Sequence, residues 1–468
     1  MGRSTEEAGE TRWREGSLVL GASNVARNEV IDVGLGTPPK IQELQRKLLT
    51  KAKCEPKYRF YTLYDKVYRP DILEHAYRLA KANGGAPGVD GQTFKDIEAY
   101  GEERFVEELA RELKEERYRP EAVRRVMIPK DNGGERPLGI PTVRDRTVQG
   151  AAKLVLEPIF EADFTDNAHG YRPGHSAGQA VREVHEALKS GTTDVVDADV
   201  TKFFDTIPHS ELMRSVARRV SDGRMLHLIK MWLEAPIEET NDRGQKQRRD
   251  SGGKGTPQGG VLSPLLANIY MRRFLKAWEQ GGYEQKLSAR IVNYADDFVV
   301  LCRGTARQAL SVARGILSRI GLTLNEAKTR TCNAWQDTFD FLGYTFGATP
   351  SQFGGQPYLA VRPSKKSIAR LKDAIRERTG PATLWQPPEY LIGTLNALLR
   401  GWGQYFSYGT IGRAYTVIDH HVLDRVTRWW SRKFKRRGRR EWVSPRHLHD
   451  ELGLMNYSRL MALARGPR

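Results

Sequence analysis

The stretch that decides the fold is Ile291-Val292-Asn293-Tyr294-Ala295-Asp296-Asp297-Phe298-Val299-Val300-Leu301. Two apolar, largely β-branched runs flank two adjacent carboxylates. Runs of this kind read as strands, with a break at the acids. Within a regular strand neighbouring side chains point to opposite faces; at a hairpin tip they need not. Two acids buried there without counter-charge would cost on the order of several kcal/mol, and a divalent cation removes that cost. Taken alone, Tyr294-Ala295-Asp296-Asp297 also suits a solvated Asp-Asp turn.

A second acidic cluster shifts the balance. Asp197-Ala198-Asp199-Val200-Thr201-Lys202-Phe203-Phe204-Asp205 follows an apolar strand beginning at Asp194. An Asp at a strand end before an aromatic pair can be plain core and cap. It can equally supply a third metal ligand. Mg²⁺ prefers hard oxygen ligands and shares its shell with substrate phosphates. Two such ions clamp the attacking and leaving oxygens of an in-line phosphoryl displacement. Asp197 and Asp205 read as supporting residues rather than ligands. Between the two clusters stands Gly255-Thr256-Pro257-Gln258-Gly259-Gly260. Its glycines let backbone approach a ligand, and Gln258 offers both a donor and an acceptor. By itself this segment is no more than a loop before a helix.

Composition sets the surroundings. Lys and Arg number 75 against 57 Asp and Glu, a net charge of +18, so a polyanion is the first partner to consider. A generic basic protein or an anionic membrane surface would also suit that charge. The three cysteines, Cys54, Cys302 and Cys332, form no CxxC pair, which argues against a zinc module or a disulfide framework and fits a reducing cytosol. No apolar run reaches the roughly 20 residues of a membrane span. The N-terminus lacks a signal-peptide core. The expected location is the cytoplasm, in the bacterial cytosol or nucleoid.

Hydrophobic spacing predicts helices over Lys40–Lys53, Asp71–Ala82, two between Phe94 and Arg117, then Thr147–Phe160, one capped by Ser176, and Val261–Trp278. Strands are expected at Val123–Pro129, Arg136–Pro141 and Asp194–Val200. After Pro363 the pattern turns helical, over Ser367–Glu377, Tyr390–Tyr408 and Ile418–Phe434. A boundary is expected in the Gly/Pro-rich stretch near 350–362.

Together these segments resemble the group II intron-encoded branch of the reverse transcriptases, over about residues 60 to 430. Asn83 to Gly91 is similar to the family's N-terminal fingers extension. Ile128-Pro129-Lys130 through Arg136 to Pro141, with Asp145, Arg146 and Gln149, resembles the first fingers motif. His169-Gly170-Tyr171-Arg172-Pro173-Gly174 and Ser176 resemble the second. Asp199 to Asp205, Thr256 to Gly260, and Tyr294 to Asp297 are similar to successive palm motifs. Gly321-Leu322, Asn325, Lys328 and Thr329, then Phe341 to Tyr344, complete the series.

The resemblance implies an α+β right-hand polymerase, with fingers and palm, followed by an α-helical thumb or maturase domain. It implies Asp199, Asp296 and Asp297 as catalytic ligands of two Mg²⁺ ions. Lys130 and Arg136 would grip the incoming triphosphate, and Gln258 would line its pocket. Phe204 stands at the aromatic gate that excludes a ribose 2′-hydroxyl; Phe203 is the alternative. Leu395-Asn396 and Arg400 to Phe406 resemble the maturase domain, while Trp402 and Phe406 at i, i+4 also suit a helical core. Beyond them, Arg428, Arg432, Lys433, Lys435, Arg436, Arg437, Arg439 and Arg440 interleave with Trp429, Trp430 and Phe434. Such charges neutralise phosphates, and aromatics stack on bases; a solvated basic helix with core-facing tryptophans is the plainer alternative.

The expected division is an N-terminal extension over 1–55, fingers and palm over 56–350, thumb over 351–425 and a basic segment over 426–468. Expected partners are an RNA template or intron RNA, a DNA primer or target, and dNTPs, with no membrane. The expected function is RNA-directed DNA synthesis joined to splicing assistance in intron mobility. A free-standing relative in host repair or phage defence is one alternative, and a splicing cofactor with a vestigial polymerase is another. Since no cysteine follows Cys332, a Cys- and His-bearing endonuclease domain is not expected.

Overall fold

The computed structural model describes residues 36–129, 134–241, 245–351, 354–435 and 443–465. The chain divides between Ala334 and Trp335 into two compact units.

In the first unit, helices α1 (Pro39–Cys54), α2 (Tyr64–Val67), α3 (Pro70–Asn83), α4 (Phe94–Tyr100) and α5 (Glu102–Lys114) precede strands β1 (Val123–Pro129) and β2 (Glu135–Ile140). Helices α6 (Val143–Glu161) and α7 (Ala177–Lys189) lead into β3 (Asp194–Asp199). Next come α8 (Phe203–Thr206), α9 (His209–Ala217), α10 (Gly223–Glu234), β4 (Ile237–Thr240), β5 (Lys246–Arg249) and α11 (Ser263–Gln280). Then follow α12 (Tyr283–Lys286), β6 (Arg290–Tyr294), β7 (Asp297–Cys302), α13 (Ala306–Arg319) and β8 (Arg330–Asn333).

Helix ends follow local chemistry. Ser176 and Gln179 form a reciprocal capping box at the start of α7, and the expected apolar face of Val181, Val184 and Leu188 is buried. Helix α6 begins four residues before the expected Thr147, because the Thr142 side chain accepts from the Asp145 amide and caps it there. Asp145 itself is buried, accepting from Tyr118 Oη at 2.6 Å and Thr142 Oγ1 at 2.8 Å. Burial still pushes its carboxyl above the usual range.

Two sheets organise this unit. The palm sheet runs β6-β7-β3-β8, antiparallel throughout. Most side chains of β3, β6 and β7 are buried or half-buried, as expected for a sheet covered by helices; the Phe274 ring on α11 packs 5.0 Å from that of Phe298. The fingers sheet runs β2-β1-β4-β5. Strands β4 and β5 were not legible in the sequence, because charge rather than apolar alternation holds them. Glu238 pairs with Lys246 at 3.1 Å and Arg248 at 2.9 Å, while Glu239 pairs with Arg125 at 3.0 Å and Arg249 at 2.8 Å.

The second unit has a sheet of order β11-β10-β9, from β9 (Phe339–Phe341), β10 (Tyr344–Thr349) and β11 (Tyr358–Pro363). Helices α14 (Lys365–Arg378), α15 (Pro388–Tyr405), α16 (Gly412–Lys433) and α17 (Tyr457–Arg465) follow. The sequence placed a boundary at 350–362; the contact division falls at 334/335 because β11 pairs with β10 across that stretch. Helix α16 begins six residues before the expected Ile418 and runs on past 425. Its Trp429 is 1% exposed and joins a core with Leu395, Ile418 and Val422. Trp402 and Phe406 do pack together, with ring centroids 4.6 Å apart. Among the described residues no helix is long and apolar enough to cross a membrane.

Candidate active site

Strands β3 and β7 pair in a register that sets Asp199 opposite Asp297. Asp296 lies beside it in the short turn, Ala295-Asp296, that joins β6 to β7. Three acids from two chain segments thus gather at one end of the palm sheet. The turn is tight: Ala295 takes φ +58°, a left-handed conformation that costs a non-glycine residue about 1–2 kcal/mol. Asn293 offsets that cost, its Nδ2 donating to the Ala295 carbonyl at 2.9 Å and the Asp297 carbonyl at 3.3 Å.

The neighbouring segment 167–171 braces the hairpin. Asn293 N donates to Asn167 O at 2.8 Å, and His169 N donates to Asn293 O at 2.9 Å. Asn268 Nδ2 on α11 holds the Gly170 carbonyl at 2.7 Å. Gly170 has to be glycine, since a Cβ there would run into the Ala295 amide.

Electrostatically the site is in deficit. Burial, then repulsion from Asp296, Asp199 and Asp197, pushes the Asp297 carboxyl well above its ordinary range. Burial and Asp199 push Asp296 up as well. One cation answers directly: Lys328 Nζ lies 2.9 Å from Asp199 Oδ2, and that bond raises the Lys328 pKa. Asn325 donates to the same oxygen at 3.2 Å, and its backbone amide to the Asp199 carbonyl at 2.8 Å. Asp197 is engaged by Arg330 at 3.5 Å.

Among the described residues no three His, Cys, Asp or Glu side chains close into a metal-holding group. Mg²⁺ needs no such cage, because it keeps waters and takes substrate phosphates as ligands. Carboxylate oxygens, partly buried, mutually repelling and short of positive charge, are a donor set that fits it.

Of the residues expected around a nucleotide, Arg136 and Gln258 lie together. Arg136 Nε on β2 donates to Gln258 Oε1 at 2.8 Å, and the Gly139 amide donates to the Gln258 carbonyl. Gln149 Oε1 accepts from the Val261 amide at 2.9 Å, fixing the far end of that loop. Lys130 lies outside the described residues. Both phenylalanines are buried in the core, Phe203 at 2% and Phe204 at 5% exposed. Phe204 meets the Tyr171 ring edge-on at 6.3 Å, and Tyr171 is near enough to Asp296 for that carboxylate, after burial, to raise its pKa.

Of the basic residues expected to bind nucleic acid, Arg428 and Arg432 are exposed, although Arg428 pairs with Asp424 at 2.9 Å. Lys435 is exposed too. Lys433 is used inside the fold instead, donating to the Leu384 carbonyl at 2.8 Å. Arg436, Arg437, Arg439 and Arg440 lie outside the described residues. Sequence reading gave no role to Asn293, Gly170 or Tyr171. Only the nearness of two motifs in space, which no spacing reveals, shows what they do.

Residues 128–346 match the family described as reverse transcriptase (RNA-dependent DNA polymerase), and residues 368–447 match the group II intron maturase-specific domain. Protein YkfC of Escherichia coli K12 is 34% identical over 368 residues, 70% of this chain and 93% of that protein. The chain belongs to the group II intron reverse transcriptase/maturase family. A second relative of this reverse transcriptase is the group II intron-encoded protein LtrA of Lactococcus lactis, 37% identical over 218 residues, 46% of this chain and 35% of LtrA. The chain thus spans about a third of LtrA's length. A telomerase structure from Candida albicans aligns with 73% of this chain and 67% of its own at 12% identity and TM-score 0.41, a likeness too loose to argue from. The group II reverse transcriptase is an RNA-directed DNA polymerase with a right-hand fold and a helical maturase region.

Proposed function

We propose that Asp199, Asp296 and Asp297 hold two Mg²⁺ ions, and that the enzyme extends a primer 3′ end with dNTPs on an RNA template. The register of Asp199 against Asp297, with Asp296 in the adjoining turn, supports this most. When bound, the ions would lower the pKa of the primer hydroxyl and offset charge on the departing pyrophosphate. The chain's own residues bind and orient. Arg136 grips the triphosphate, together with Lys130, and its guanidinium is held in place by Gln258. Gln258 forms one wall of the nucleotide pocket. Phe204 stands against the sugar and excludes a 2′-hydroxyl. Lys328 offsets part of the surplus negative charge at Asp199.

In the second unit, Arg428 and Arg432 meet nucleic-acid phosphates. The helical region holds the template–primer duplex and binds intron RNA, favouring its splicing-competent fold without taking part in the chemistry. A DNA target supplies the primer.

Primer extension on an RNA template with Mg²⁺ tests the polymerase. The expected result is cDNA from the wild type and none from Asp296→Ala. Tight RNA binding by a wild type that makes no cDNA would reject the polymerase reading and leave splicing assistance as the function.

A further inference from the structure

The loop that carries Gln258 is tied to the segment that carries Phe204. Thr256 N donates to Phe204 O at 2.7 Å, Gly255 N to Ile207 O at 2.8 Å, and His209 N to Gly253 O at 3.0 Å. One tie is of a different kind. His209 Nε2 lies 2.7 Å from the Gly255 carbonyl oxygen; a carbonyl only accepts, so the ring nitrogen carries the proton and donates.

The Gly255 carbonyl and the Thr256 amide belong to the same peptide unit. That unit is therefore held at both ends, its N–H by the Phe204 carbonyl and its C=O by His209. A glycine precedes the bond, at φ +87°, where backbone rotation meets little steric resistance. Without His209 the carbonyl loses its only side-chain donor among the described residues, and the plane is held at its N–H end alone. Turning it would release Phe204 on one side and shift Pro257 and Gln258 on the other.

His209 is buried, and its Nδ1 has no hydrogen-bond partner among the described residues. A buried polar atom left unpaired disfavours folding. An apolar side chain would fill the space without that penalty. The ring's contribution is the one bond from Nε2.

We infer that His209 is a positioning residue for nucleotide selection, locking the Gly255–Thr256 peptide so that Phe204 and Gln258 keep a fixed mutual placement. This rests on the assignment of those two residues to the nucleotide pocket. The test is single-nucleotide incorporation, with kcat and dNTP KM measured separately and rNTP incorporation measured beside them. His209→Ala is expected to raise dNTP KM about tenfold, the worth of one well-made hydrogen bond, with kcat within about threefold and rNTP exclusion weakened. His209→Gln can bring an amide N–H to the reach of Nε2 and is expected to stay near wild type. His209→Asn is too short and is expected to behave like the alanine variant.

Equal behaviour of the Gln and Asn variants would overturn the inference, as would an alanine variant that melts lower with an unchanged dNTP KM. If the alanine variant does not fold, the Gln–Asn pair decides alone. Gln258→Ala is the separate control on the pocket: an unchanged dNTP KM there would reject the pocket assignment and leave the His209 tie a structural one.

Discussion

At the tip of the β6–β7 hairpin the palm collects what folding disfavours: a left-handed alanine, two carboxyls pushed up by burial, and a third acid directly across the strand pair. Helix α16 of the second unit is built the other way. Its Trp429 is buried with Nε1 donating to Thr383 Oγ1 at 3.1 Å, Lys433 donates to a carbonyl, and Arg428 and Arg432 face solvent. On the proposed function, strain and repulsion sit where a bound cation would relieve them, and the proposed binding surface is made from side chains at rest. Substitutions should therefore act with opposite signs on stability in the two places.

The largest effect is expected at Asp297. Asp297→Asn should lower primer extension by about a thousandfold or more, several kcal/mol of lost charge stabilisation. The same variant should melt higher than wild type in EDTA. The folded Asp297 carboxyl titrates above its unfolded value, so the folded state binds more protons and loses stability as pH rises past the unfolded pKa. The amide removes that loss at neutral pH, and each kcal/mol relieved is worth about 2–4 °C in melting temperature. An Asn variant that melts lower in EDTA would break the contrast. Trp429→Ala tests the other side, with an expected loss of about 3–5 kcal/mol, read by calorimetry as an earlier transition.

Gly170→Ala sharpens the palm half. The added methyl should displace the Ala295 turn and lower kcat about 10- to 100-fold, as misplacement near 1 Å does, while RNA affinity holds. Smaller still, Arg428→Ala and Arg432→Ala should each reduce the log–log salt slope of RNA binding by about one, leaving dNTP KM unchanged. The smallest effect concerns His175, whose ring lies 5.4 Å from that of His169. Burial, then Arg172 and His169, lowers its pKa from 6.5, so the unfolded chain takes up the proton first and stability falls as pH drops below about 6.5. His175→Asn should flatten that part of a melting-temperature profile.

Much of this was legible in residues. The hairpin strands could be read because they lie within one continuous stretch with its own pattern; the acids and the Gln258 loop, ambiguous alone, stood out only through the order of motifs along the chain. Strands β4 and β5 could not, since Glu238 and Glu239 hold them through charges on the facing strand. Trp429 could not be assigned to core or surface until its helix was seen to start at Gly412. The brace on Ala295 was hidden for a related reason: Gly170 and Ala295 are 125 positions apart in the chain and meet only in the fold.

The fingers sheet carries a mechanical consequence. Strand β1 pairs with β2 from Arg124 to Pro129, but with β4 only from Val123 to Arg125. Past Arg125 the β1–β2 ribbon has two strands, and a two-stranded ribbon is only marginally stiff on its own. That span behaves as a cantilever clamped at its root by the four-stranded part of the sheet, with Arg136 standing opposite Ile128 on it. The bond from Arg136 to Gln258 is then the latch on that beam, and a ligand that drew the arginine away, as the proposed function has the triphosphate do, would bend the two-stranded span rather than the sheet.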